Sequence, residues 1–155
     1  MSLTAALNTL TKISCVAIIG KMNNPMFIKN YSNEVDELKF HYLANISCDL
    51  IEAKINQTKY NDSYLGLLYI MEDLAVYGYL TNTKMKIIII LTISINPVKD
   101  MEMKQIFKKV HGVYSNLISN PFYDPDSRNT ITSTSFIKGV DKIVNTSFQN
   151  DVSYS

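Results

Sequence analysis

The chain has 155 residues, with 15 basic and 14 acidic side chains and a formal net charge of +1. That is the length of one domain, and it lacks the excess of positive charge on which nucleic-acid binding depends. Hydrophobic residues make up 46% and charged residues 19%, which excludes disorder over most of the length and leaves enough apolar surface for a core.

Residues 1–12 are small and polar with scattered leucines and read as an N-terminal extension. Ile13 to Gly20 is β-branched and apolar, Lys21 to Pro25 is a turn cluster, and Met26 to Asn30 is extended again, a pattern that predicts a hairpin. A first helix follows, with Asn33 as N-cap and Asp36 in the first turn. Its apolar positions Phe40, Leu43, Ala44, Leu50, Ile51 and Ile55 recur at helical spacing. Three strands are predicted next: Tyr64 to Ile70, Ala75 to Leu80 after a Glu72-Asp73 turn, and Lys86 to Ile95 after an Asn82-centred turn.

The stretch Ile87 to Leu91 does not alternate apolar with polar residues, so both of its faces should be covered and the strand should be central. At Thr92 and Ser94 the run is interrupted, and it is far short of the roughly 20 residues of a membrane span. Helix two, Asp100 to Ser119, carries Met103, Ile106, Phe107, Val110, Val113, Tyr114 and Leu117 on one side and stops at Asn120-Pro121. Helix three, Ser135 to Phe148, includes Gly139, which costs about 1 kcal/mol relative to alanine. Residues 13–148 thus form the domain and 149–155 a polar tail. The order β-β-α-β-β-β-α-α gives an α+β class, a five-stranded antiparallel sheet sandwiched by three helices, which is the longin or SNARE-like arrangement.

On a helical wheel at about 100° per residue, Leu38, Tyr42, Ile46 and Asp49 lie opposite Phe40, Ala44, Ser47 and Ile51. A helix apolar on two sides has one face that its own core cannot use. Two readings are open: the second stripe docks a partner, or Leu38 and Tyr42 tuck against the connection Asn56 to Ser63.

No catalytic or cofactor motif stands out. His41 and His111 have no cysteine or carboxylate at metal-ligand spacing, and there is no Gly-rich phosphate loop, G-x-S-x-G or H-E-x-x-H. Glu72 and Asp73 read as solvated turn formers. Cys15 reads as a small hydrophobe and Cys48 as partly exposed, too few and too far apart for a disulfide framework. The run Ile13 to Gly20 has a single lysine before it and no cleavage site after it, so no signal peptide is expected. Sequons at Asn45, Asn56, Asn61 and Asn145 then reflect an asparagine-rich composition, and a reducing, cytoplasmic setting follows. Lys104, Lys108 and Lys109 form a small basic patch that reads mainly as a solvated face. Asn120-Pro121-Phe122-Tyr123 reads as a structural stop, with Phe122 or Tyr123 anchoring the connection to helix three.

Several segments together carry a specific likeness: CVAIIGK (Cys15 to Lys21) followed by Asn24-Pro25, ELKFHY (Glu37 to Tyr42), YLGLLY (Tyr64 to Tyr69), Glu72-Asp73 with VYGYLTNTK (Val76 to Lys84), and NPFYDP (Asn120 to Pro125). In that order they resemble the sedlin-related small subunits of the TRAPP vesicle-tethering complex, and among these the subunit-2-like branch. Residues 1–12 have no counterpart in the family pattern.

The resemblance implies a longin-like fold, no catalysis and no cofactor. Its implied partners are other small TRAPP subunits in a hetero-oligomer and, indirectly, a Rab-family GTPase and vesicle membranes. Nucleic acid and a transmembrane anchor have no part in it. The implied setting is cytoplasmic and peripheral to endoplasmic reticulum and Golgi membranes, between which the complex tethers vesicles. In this lineage an aspartate of helix one contacts a partner, and Asp49-Leu50-Ile51-Glu52 resembles that site, on the second stripe. A different class of function, a longin-fold regulatory module of a coat adaptor or a SNARE, would call in the SNARE case for a heptad coiled coil after the domain, where this chain has a polar tail.

Overall fold

The computed structural model describes residues 11–32, 37–57, 63–92, 98–123 and 131–147. Strands β1 (Lys12–Ile19), β2 (Pro25–Asn30), β3 (Tyr64–Met71), β4 (Leu74–Leu80) and β5 (Lys86–Thr92) form one antiparallel sheet of order β2-β1-β5-β4-β3. Helix α1 (Glu37–Gln57) covers one face, and α2 (Asp100–Ile118) and α3 (Thr134–Thr146) cover the other. The predicted class, element order and antiparallel sheet are those observed. The predicted cap Asn33, first-turn Asp36, strand end Ser94-Ile95 and helix end Phe148 lie outside the described residues.

β5, last of the strands in sequence, is central because it pairs with both β1 and β4. Its alternate side chains therefore enter two separate cores. Ile87, Ile89 and Leu91 join Val16, Ile18, Phe107 and Val140 on the α2–α3 side, while Ile88 and Ile90 join Cys15, Ala17, Phe40 and Ile51 beneath α1. Each fully buried isoleucine is worth about 1.5–3 kcal/mol relative to exposure, which is why the run carries no polar residue.

A register shift between Ile13 and Cys15 sends Ile13 and Val16 into the same core. Ser14, 1% exposed, takes up the extra residue: its hydroxyl bonds that of Thr92, and its carbonyl accepts from Tyr31 N–H at 2.8 Å.

Packing between α2 and α3 explains the glycine that the sequence alone makes puzzling. A Cβ on Gly139 would stand 2.9 Å from Val113 Cγ1, so the missing side chain is what lets the helices approach. The Ser133 hydroxyl caps α3 by accepting from Phe136 N–H at 3.3 Å.

The two ends of the sheet differ. Ile131 N–H donates to Met26 O at 2.7 Å, so the chain entering α3 bonds to β2 at that residue. β3 ends the sheet, with no further strand beside it among the described residues.

Candidate functional site

α1 spans 21 residues and is held over the sheet at both ends. Near its start the Lys39 ammonium meets Glu72 Oε2 at 2.5 Å, fixing the helix to the β3–β4 turn. Near its end Lys54 Nζ donates to Leu65 O on β3, and Glu52 faces the other flank, where it accepts from Asn23 Nδ2 at 2.9 Å and from Lys86 Nζ at 3.3 Å. Those bonds hold the Glu52 carboxyl below its ordinary range.

With Phe40, Leu43, Ala44, Ser47, Cys48 and Ile51 buried, the helix is oriented, and the second stripe is left outward. Leu38 is 74% exposed and Tyr42 57% exposed; Asp49 is exposed and Ile46 half-buried. The connection that the sequence offered as an alternative cover lies mostly outside the described residues.

No residue of the neighbouring strand was among the contacts read from the sequence. Leu67, Tyr69 and Ile70 of β3 are exposed, so five of the eight large exposed hydrophobics among the described residues lie on α1 and the strand it is tied to. The backbone of that strand is irregular, with register shifts between Tyr64 and Gly66 and between Leu67 and Tyr69, and Gly66 at φ 79°. Bulges of this kind twist an edge away from uncontrolled strand addition. The exposed β3 side chains divide between the two faces of the sheet: Tyr69 pairs with Val76 on the α1 side, whereas Leu67 pairs with Tyr77 and Ile70 with Ala75 on the α2–α3 side.

Elsewhere the residue types that carry chemistry are dispersed. His41 is exposed, 3.9 Å from Glu37, and His111 packs at 5.7 Å on the Tyr79 ring. Among the described residues no three His, Cys, Asp or Glu side chains converge to hold a metal ion. Cys48 departs from its sequence reading: it is 6% exposed, because its place on the wheel falls on the sheet side of α1. Burial pushes its thiol up, and pushes that of Cys15 up to about 12, which leaves neither a ready nucleophile. Lys104, Lys108 and Lys109 are exposed, with Lys104 Nζ 5.6 Å above the Tyr64 ring. Within Asn120 to Tyr123, Tyr123 is the anchor, packed against the core, while Phe122 is 95% exposed. No helix among the described residues is long and apolar enough to cross a membrane.

Comparison with known proteins agrees with this architecture. The Sedlin family model matches residues 18–146. A trafficking protein particle complex subunit 2-like protein of Dictyostelium discoideum is 45% identical over 138 residues, covering 86% of this chain and 96% of the relative. Proteins of the same description from Xenopus tropicalis and Bos taurus are each 40% identical, covering 77% and 74% of this chain and 94% and 85% of the relatives.

Proposed function

The chain belongs to the sedlin family, and from that membership we propose that it serves as a non-catalytic assembly or adaptor subunit of a TRAPP vesicle-tethering complex. The observation that carries this reading is the outward face of α1. Leu38 and Tyr42 are large, apolar and exposed on a helix whose other side already fills a core, and exposed apolar ridges of this kind mark partner surfaces. Other small TRAPP subunits dock there, with Leu38, Tyr42, Ile46 and Asp49 as contacts. The assembled complex promotes nucleotide exchange on a Rab-family GTPase in transport between endoplasmic reticulum and Golgi. This chain contributes scaffold rather than chemistry, from the cytoplasmic side and peripherally at those membranes.

The test is affinity purification of the tagged chain from its own cells at moderate salt, with co-eluting proteins identified by mass spectrometry. Several TRAPP-type subunits near equal stoichiometry are expected, and should be lost with Tyr42→Ala/Asp49→Ala while the melting temperature holds. Recovery of coat adaptors, or of no partner, would overturn the assembly role. A collapse of the double variant's fold would overturn the assignment of those side chains to docking.

A further inference from the structure

The net charge of +1 conceals an uneven distribution across the sheet. On the α1 side Glu37, Asp49, Glu52, Glu72 and Asp73 are exposed, while Lys39 is bonded to Glu72, Lys54 to Leu65 O, and Lys86 is buried. On the other side the balance is reversed. α2 and α3 expose Lys108, Lys109, Lys138 and Lys142, and among the described residues none of these is paired with a carboxylate. Two of the three carboxylates on the same helices are already engaged: Asp100 accepts from Tyr64 Oη at 2.7 Å, and Asp141 from Lys29 Nζ and Tyr31 Oη, each at 2.7 Å. That leaves Glu102, in the first turn of α2.

Helix packing gathers the lysines. A Cβ on Gly139 would meet Val113, and Leu117 and Phe136 line one groove, so α2 and α3 run antiparallel. One turn back from Val113 and one turn on from Gly139, Lys109 and Lys142 fall at the same level on either side of the seam, with Lys108 and Lys138 next to them on the outward faces. Phe107, Val110, Phe136 and Val140, on the opposite sides of the two helices, fill the core. Met101, 72% exposed, stands two turns before Lys108 on the same stripe.

We propose that this outer face of α2 and α3 rests on a membrane surface rich in anionic lipid. Charge selects the sign of the partner, and residue type selects its class. A lysine ammonium is a mobile, strongly hydrated point charge, and ordering its long stem against a fixed protein surface costs side-chain entropy, so protein interfaces are depleted in lysine. A fluid layer of headgroups orders the stem far less, and clusters of about four to eight basic residues on one surface bind anionic lipid by this diffuse attraction. Met101 adds an apolar side chain that can enter the interface between headgroups. The proposal goes beyond the docking role of α1 and does not rest on it: α1 covers the opposite face of the sheet, so both faces can be occupied at once.

Flotation of the purified full chain with vesicles tests it, comparing phosphatidylcholine alone with phosphatidylcholine containing about 40% phosphatidylserine, at about 0.05 M and about 0.3 M salt. The chain should float with the anionic vesicles at low salt, and neither with the neutral ones nor at high salt. Lys108→Glu/Lys142→Glu should lower the partition coefficient at least about tenfold while the melting temperature holds. Lys21→Glu/Lys84→Glu, the same change of net charge on exposed residues of the β1–β2 and β4–β5 turns, should lower it far less, and Tyr42→Ala not at all. No flotation with anionic vesicles, or an equal loss from the two lysine pairs, overturns the proposal. Retention on an immobilised polyglutamate peptide without vesicle binding also overturns it, and makes an acidic protein the partner instead. Each of these outcomes leaves the docking role of α1 untouched.

Discussion

The Lys86 side chain is 5% exposed, and its ammonium lies 3.3 Å from Oε1 of Glu52, joining the start of β5 to α1. Asn23, in the β1–β2 turn at φ 62°, bonds both groups, so one cation ties three segments together.

Removing the partners of a buried cation is worse than removing the cation, because an uncompensated charge is left behind. Asn23→Ala/Glu52→Ala should therefore lower the melting temperature more than Lys86→Met, which leaves an exposed carboxylate free to hydrate. Thermal melts of the two variants side by side check the order.

Acid should unlock two contacts. For Asp141, burial acts to raise the carboxyl, but the bonds from Lys29 Nζ at 2.7 Å and Tyr31 Oη at 2.7 Å outweigh it, and the group titrates below its ordinary 3.8. Glu52 likewise titrates below its ordinary 4.5. A carboxylate lowered by folding stabilises fully above its unfolded value and loses that contribution as the pH falls through its folded one. Denaturant melts should show stability falling as the pH drops below about 4.5, and Asp141→Asn should flatten that fall.

At Gly139 two effects of opposite sign compete. Alanine gains about 1 kcal/mol in helix propensity, but its Cβ would sit 2.9 Å from Val113, a stiff β-branched side chain on α2. Overpacking of this kind costs about 1–3 kcal/mol, so Gly139→Ala should be net destabilising and Val113→Ala should rescue it. A double-mutant cycle in guanidinium measures the coupling.

Phe107 and Tyr42 should behave as opposites. Phe107 is fully buried and stacked at 5.4 Å on Tyr79, so Phe107→Ala should cost about 3–5 kcal/mol. Tyr42→Ala touches the outward face and should stay within about 0.5 kcal/mol of the parent. Chemical denaturation of both variants separates core from surface.

Neither thiol should be accessible. Both are buried and both are held protonated by that burial, so the native chain at pH 8 should react with an aromatic disulfide reagent only as fast as it opens. Two thiols should appear promptly in denaturant. Rapid labelling of native protein would instead show that α1 lifts from the sheet.

Much of this structure was written locally. The spacing of Met103, Ile106, Phe107, Val110, Tyr114 and Leu117 defined α2 and its buried side, because a helical face is set by neighbours three and four positions apart. The unbroken Ile87 to Leu91 run announced a strand covered on both faces, because successive side chains of a strand point to opposite sides. The outward stripe Leu38, Tyr42, Ile46 and Asp49 was also legible, since one helix wheel contains all of it.

What the sequence could not decide was which elements lie beside which. Tyr64–Met71 is as apolar as β5, yet it ends the sheet and exposes Leu67, Tyr69 and Ile70, because strand order depends on pairing between distant segments. The same non-local geometry buried Cys48 beneath α1, gave Gly139 its close contact with Val113, and anchored Tyr123 while leaving Phe122 in solvent. By itself, then, the sequence determined the elements, their order and the apolar stripes each must bury or share. Only the tertiary structure decided which stripes find cover within the chain, because cover is a property of neighbours that are close in space and far apart along the backbone.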